Sequence, residues 1–321
     1  MRPLSREELI ELTVRSNRKA LWHWLLRLGF HLGLVALSLV LIEHGLLVLG
    51  LLVLLPHFAA FSFFGWAGIG HELFHNSVFT NRRLNRVLFK LCSILTWNNP
   101  GYFNASHAYH HRHTLGEDDA EGIPHPPISR ANVIWLLSID LPGLYRRLRI
   151  LISNARGIVP AGAAARVLFP EGSRARHELV RFARVILICQ FGSMALFIAL
   201  QAYWLLLAIN LAPFCLTFFN RILAVSQHYG LRSVERGDYP QSCRTVLLHP
   251  AVAFFYANMN YHVEHHTYPG VPFYNLPALS ELLRARTPFP NLESGYQAVL
   301  RTLAAEGLLV TRQPTRVAAK R

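Results

Sequence analysis

The sequence predicts an all-α integral membrane protein: four transmembrane helices in two hairpins, with a cytoplasmic helical cap that carries a histidine-rich dimetal site. Three observations predict it. The 321-residue chain is 52% hydrophobic and only 16% charged, with a mean hydropathy of +0.26. Its apolar residues are gathered into two pairs of runs. Nine of its 17 histidines fall in four short motifs, all on one predicted side of the membrane. The chain reads as one membrane domain over residues 1–321, with 1–20 an amphipathic N-terminal segment and 312–321 a basic tail.

The opening MRPLSREELIEL places Glu8 three residues after Ser5, a capping-box spacing that starts a short amphipathic helix suited to the membrane surface. The first hairpin follows, with apolar runs from Leu21 to Ile42 and from Leu46 to Ile69. Each is near the roughly 20 residues that a spanning helix needs. The first run is no cleaved signal peptide, because polar residues precede it and no small-residue cleavage site follows. In the middle segment, NVIWLLSIDLPGLYRRLRILI mixes Leu and Ile with Arg146, Arg147 and Arg149 and reads as interfacial. The Gly, Ala and Pro of Gly157–Ser173 predict a flexible connection to the second hairpin, whose runs are Phe182–Leu200 and Tyr203–Phe219. The tail TRQPTRVAAKR reads as disordered.

All 32 Lys and Arg residues lie outside the hairpin tips Glu43-His44-Gly45 and Gln201-Ala202, so both termini and the middle segment are expected in the cytoplasm. The net charge of +14 then follows the positive-inside rule and faces anionic headgroups. Nucleic acid is not indicated, since no zinc finger, RNP-type motif or free basic helix accompanies the charge. Cys92, Cys189, Cys215 and Cys243 are far apart and form no C-x-x-C pair, so they read as reduced and structural.

HELFH at 71–75 admits two readings. It has the spacing of a zinc protease helix, with Glu72 as general base. It also fits H-x-x-x-H, in which His71 and His75 are part of a larger cage. The rest of the chain favours the cage. HAYHH supplies His107, His110 and His111, HVEHH supplies His262, His265 and His266, and SQHYG supplies His228. The i, i+3, i+4 spacing puts each triplet on one helical face. One H-x-x-H-H is expected by chance about 0.05 times in such a chain, and two on the order of 0.001 times. Nine imidazoles exceed the four ligands of a zinc ion and suit two metals. Imidazole accepts iron, copper, nickel or zinc; a lipid setting, where an acyl C–H bond is oxidised with O₂, favours two irons over redox-silent zinc.

GHELFHN, SHAYHHRHT and NMNYHVEHHTYPGVPFYNLPAL resemble the three histidine boxes of membrane-bound fatty acid desaturases and related hydroxylases, over about Gly65 to Leu283. The resemblance implies that His71 and His75 form the first box, His107, His110 and His111 the second, and His262, His265 and His266 the third, with His228 as the extra ligand. Some desaturases carry an Asn four residues before that extra histidine. Here the position is Ala224, and Gln227 and Asn258 are the residues considered in its place. Glu72 and Glu264 become candidates to accept a ligand imidazole N–H, and Asp118 and Asp119 to hydrogen-bond the second box. His113 lies off the shared face and is read as a non-ligand. His31 and His57, inside the first hairpin, either line a substrate tunnel or hydrogen-bond between helices.

The resemblance implies an oxygen-dependent desaturase acting on a fatty acid or lipid, with hydroxylation or ketolation of a lipid, alkane or carotenoid as the alternative on the same scaffold. No flavin, dinucleotide, rubredoxin or haem motif is present in the sequence, so electrons are expected from a separate ferredoxin, rubredoxin or cytochrome b5. Two rival classes fit less well. An intramembrane zinc protease needs a third ligand from a later span, and the second hairpin's apolar runs contain no Asp or Glu. A metal transporter needs ligands near the bilayer midplane.

Overall fold

We describe the chain from a computed structural model, which covers residues 4–116, 119–121, 127–159, 167–232 and 238–309. Asp118, part of the Gly157–Ser173 connection and the 312–321 tail lie outside these residues.

Three helical stretches are long and apolar enough to cross a membrane: Asn17–Glu43, Leu47–Phe74 and Arg174–Ala199. A helix of 27 residues at 1.5 Å each is about 40 Å long, more than the roughly 30 Å of bilayer hydrocarbon. Their outer faces are apolar, with Leu32 65%, Val48 73% and Ile188 71% exposed, which suits lipid rather than water. The second stretch is interrupted. A regular helix over Leu47–Phe61 gives way to a 3₁₀ turn at Ser62–Phe64 and resumes as the short helix Ile69–Phe74.

The fourth apolar run is not a regular helix. Leu206–Leu211 is wound as a π-helix, Ala212–Phe214 is a 3₁₀ turn, and a regular helix resumes only at Phe218–Ser226. Pro213 has no N–H to give to a helical ladder. Two polar side chains take up carbonyls of the broken segment, and a third bond ties its Asn210 side chain to a neighbouring helix. His57 Nε2 donates to the Ala208 carbonyl (2.9 Å), Trp97 Nε1 to the Asn210 carbonyl (2.9 Å), and Asn210 Nδ2 to Gln190 Oε1 (2.7 Å). The apolar composition that marks a span did not register these partners, which lie in other helices. His31 joins the same set through a 3.1 Å contact with His57, which makes the pair a brace between helices.

The N-terminal helix Arg6–Thr13 has the full capping box between Ser5 and Glu8. It rests against protein: Leu12 is buried in the main core, Asn275 Nδ2 donates to the Leu12 carbonyl (2.9 Å), and Arg286 pairs with Glu8. The middle segment forms helices Arg130–Leu137 and Leu141–Ala155, each with exposed apolar residues such as Ile134 and Tyr145. The fold is not wholly helical. Thr245–Leu247 pairs in parallel with Leu292–Ser294, and Asn260 locks the first strand by donating to the Val246 carbonyl (2.8 Å).

Two close approaches position the site. A Cβ at Gly70 would lie 2.6 Å from the Phe64 carbonyl oxygen, so only glycine lets the chain fold back sharply before His71. A Cβ at Gly101 would lie 2.7 Å from backbone atoms of Glu178 and Leu179, so the helix Pro100–His110 crosses Arg174–Ala199 at backbone contact. Asn99 fixes that crossing. Its Oδ1 caps the Pro100–His110 helix at the Gly101 amide, and its Nδ2 donates to the Leu179 carbonyl (2.8 Å).

Candidate metal centre

Four backbone segments deliver histidines to one buried region. His71 lies on the Ile69–Phe74 helix and His75 caps its end. His107 and His110 occupy the last turn of Pro100–His110, with His111 as its cap. His228 follows the helix Phe218–Ser226, and His262, His265 and His266 share the short helix His262–Thr267. Their ligating nitrogens sort into two groups: His71, His75, His107, His111 and His265 in one, His110, His228, His262 and His266 in the other.

Within each group the imidazoles meet through Nε2. His71 and His265 are 3.0 Å apart, His75 and His107 3.1 Å, His107 and His111 2.9 Å. In the second group the separations are 3.1 Å for His110 and His228, 2.8 Å for His228 and His262, and 3.1 Å for His262 and His266. Two nitrogens bound at about 2.1 Å to one ion, at right angles, are about 3.0 Å apart.

The opposite ring edges explain why the Nε2 lone pairs face inward. His71 Nδ1 donates to the Trp66 carbonyl (3.0 Å) and His228 Nδ1 to the Ser242 carbonyl (2.8 Å). His107 Nδ1 donates to Glu121 and His110 Nδ1 to Asp119, both at 2.8 Å, and Glu72 Oε1 lies 3.1 Å from His265 Nδ1. A ring that gives its Nδ1 proton away keeps Nε2 as an acceptor. His71 Nε2, left as an acceptor in this way, faces His265 Nε2 across 3.0 Å. An ion held between the two rings would satisfy both nitrogens.

Protons are poorly suited to be that cation. Burial, followed by repulsion from neighbouring imidazoles, holds His107, His111, His262 and His266 well below the usual histidine range and lowers His228 to about 3. His110 departs from the rest: burial alone would lower it, but the hydrogen bond to Asp119 and the charges of Glu121 and Asp119 outweigh burial and raise it. Inward-facing imidazoles in two groups, most of them held neutral by burial, are a donor set that fits two metal ions.

The description "Fatty acid desaturase" matches the chain over residues 45–296, most of its length and all nine of these histidines. The chain belongs to the fatty acid desaturase family. No curated protein matches it.

In this desaturase-family chain the remaining residues singled out from the sequence fall in different places. Glu72 is fully buried against His265, and its Oε2 accepts from Ser77 Oγ (3.2 Å). Glu264 faces away from the imidazoles: its Oε2 accepts from Thr245 Oγ1 (2.6 Å), which ties the third-box helix to the strand. Asn258 donates to the Phe273 carbonyl (2.9 Å), and Gln227 to the Tyr256 hydroxyl (2.8 Å), so both amides stabilise loops. His113 stacks on Tyr109, outside both groups.

Glu121 and Arg244 are the residues that motif reading passed over. Glu121 stands in the same acidic run as Asp119, yet it reaches back 14 residues to His107 through a loop that no spacing rule describes. Arg244 donates to the Ser226 and Tyr229 carbonyls on either side of His228 and pairs with Glu306 (3.2 Å). It holds the only ligand that stands outside a box. No local pattern marks it.

Proposed function

We propose that this protein is an oxygen-dependent diiron oxidoreductase that introduces a double bond into the acyl chain of a fatty acid or lipid. One observation carries the reading: nine imidazoles, converging in two groups, in a chain of the fatty acid desaturase family. Two bound irons would supply the redox chemistry toward O₂ that an unactivated C–H bond requires and zinc lacks. The reaction balances when two hydrogens leave adjacent methylenes and O₂ is reduced to two waters with two further electrons and two protons. A separate ferredoxin, rubredoxin or cytochrome b5 is the proposed source of those electrons.

The chain's own residues prepare this chemistry. Asp119 and Glu121, with the carbonyls of Trp66 and Ser242, orient four ligand rings and fix which nitrogen is free, and the Glu72 carboxylate lies beside His265 Nδ1. Phe74 and Phe103 pack against His107 and keep water from that side of the site. We place both termini and the histidine groups on the cytoplasmic side and count the broken Tyr203–Phe219 run as a fourth crossing. The exclusion of Lys and Arg from the hairpin tips supports that orientation.

The test is expression in a lipid-producing host with a reducing partner, followed by mass spectrometry of the lipids and metal analysis of the purified protein. About two irons per chain and a new double bond are expected. A hydroxylated product would move the protein to the sister reaction, and one zinc with peptide cleavage would sink the reading.

A further inference from the structure

A cavity of about 600 Å³ lies between the helix Leu141–Ala155, the Ser62–Ala67 turn and the segment that follows the π-helical break. Two of its wall residues stand near ligands along the chain. Trp66, on its wall, accepts the His71 Nδ1 proton at its carbonyl, and Ala224, also on the wall, sits four residues before His228. Part of the lining is apolar, from Ile128, Leu136, Leu151 and Phe214.

The rest of the wall is cationic. Arg146, Arg147 and Arg221 line the cavity, and Asp140, the one acid among its lining residues, has its Oδ1 taken by the Gly143 amide (2.9 Å). Arg146 is exposed and marks the mouth, while Arg147 lies deeper, with its guanidinium 5.6 Å from the Trp66 ring centre. Five polar atoms on side chains of this wall have no hydrogen-bond partner although they are buried: Ser62 Oγ, Trp66 Nε1, Asn154 Oδ1, Thr217 Oγ1 and Asn220 Nδ2. Asn154 is only 1% exposed, so water from the surface does not satisfy it. Buried polar groups left this way are costly and mark a place that a ligand fills.

We propose that this cavity binds the anionic group of an amphiphilic acyl substrate, a carboxylate or a phosphate, through Arg146 and Arg147, with the unpartnered amides and hydroxyls completing its hydrogen bonds. A planar guanidinium grips either anion with two parallel N–H bonds, and a neutral alkane or carotenoid offers it nothing. Burial, then the neighbouring charges of Arg146 and Arg221, lowers Arg147 to about 10, the strain that an incoming anion relieves. The inference rests on the acyl substrate proposed above and narrows it to chains that carry a negative charge.

The experiment titrates the iron-loaded protein, in a neutral detergent, with palmitate, with dipalmitoylphosphatidylglycerol and with uncharged hexadecanol, and reads binding by calorimetry. At least one anionic amphiphile should bind roughly tenfold or more tightly than hexadecanol. Preference for palmitate alone identifies a carboxylate, and for the phospholipid alone a phosphate; either supports the proposal. Arg146→Gln/Arg147→Gln should remove the margin and leave hexadecanol binding and iron content as in the parent. Should the double variant not fold, Arg146→Gln alone, at the exposed mouth, should lose part of the margin. Arg82→Gln/Arg83→Gln, on an exposed helix start elsewhere, should keep it. Equal binding of all three probes, an unchanged margin in the cavity variants, or equal loss in the control overturns the proposal. Binding needs no turnover, so a preference for anions without a new double bond faults the reaction alone, and a double bond without the preference faults the cavity alone.

Discussion

Glu72 carries different predictions under the two readings of HELFH. As the general base of a zinc protease it would be indispensable to peptide cleavage. Here its carboxylate sits 3.1 Å from His265 Nδ1 and also takes the Ser77 hydroxyl. Gln keeps an acceptor at the same place but loses the charge. Glu72→Gln should therefore still bind two metals at saturating iron, with affinity or activity reduced about ten- to hundred-fold. Loss of all metal in plasma emission spectroscopy would contradict the placement. Asp119→Asn makes the complementary case at His110, with a similar loss expected for the second ligand group alone. Arg244→Met leaves every ligand in place and removes the clamp on the His228 loop. Iron content should fall in this variant and recover in part with Arg244→Lys, which keeps a donor.

At the scale of the element, the H-x-x-H-H helix serves both ligand groups at once. In the second box His107 and His111 join one group and His110 the other. In the third box the assignment is reversed, with His262 and His266 in one group and His265 across from them. The i, i+4 pair of each helix would thus grip one metal while the i+3 residue reached the other, and the two helices together would tie the metals to one another. His107→Ala/His111→Ala and His262→Ala/His266→Ala should each remove mainly one of the two irons, and not the same one. Mössbauer spectra of the two variants that show the same residual site would refute this division.

This division also marks where the sequence stops being legible. Spacing shows that three imidazoles share a face, because helical periodicity is local. Which of them meet across 34 to 194 residues of intervening chain depends on packing, so the partnership of His262 with His228 or of His71 with His265 has no trace in either motif. The first two spans and the third are legible for the same local reason. The fourth run is as apolar as the others, yet Pro213 and the buried Asn210 break it, and the helices that accept the break come from elsewhere in the chain. Asn210→Leu should test that account. It would strand the Gln190 side chain, and a loss of about 1–3 kcal/mol is expected as a lower melting temperature in detergent.

For the whole molecule, the two ligand groups would act as cross-links once ions are bound. They bring together segments at residues 71–75, 107–111, 228 and 262–266, from the end of the second apolar stretch to the chain beyond the broken fourth run. Removing the ions would leave ring nitrogens as close as the 3.0 Å pair of His71 and His265 with no ion between them. It would also withdraw the stabilisation that a tight ligand gives only to the folded chain, about 4 kcal/mol when free metal is a thousand times the dissociation constant. Chelation should therefore lower the melting temperature markedly and raise hydrogen exchange first in the short helices Ile69–Phe74 and His262–Thr267. Each has only six residues and too few internal hydrogen bonds to hold its shape unaided. The Asn17–Glu43 and Arg174–Ala199 helices, stabilised by the bilayer or detergent, should exchange as before. If exchange after chelation rose equally in the long helices, the metals would support the whole fold and not the cap alone. If it rose nowhere, the two histidine groups would not be acting as cross-links.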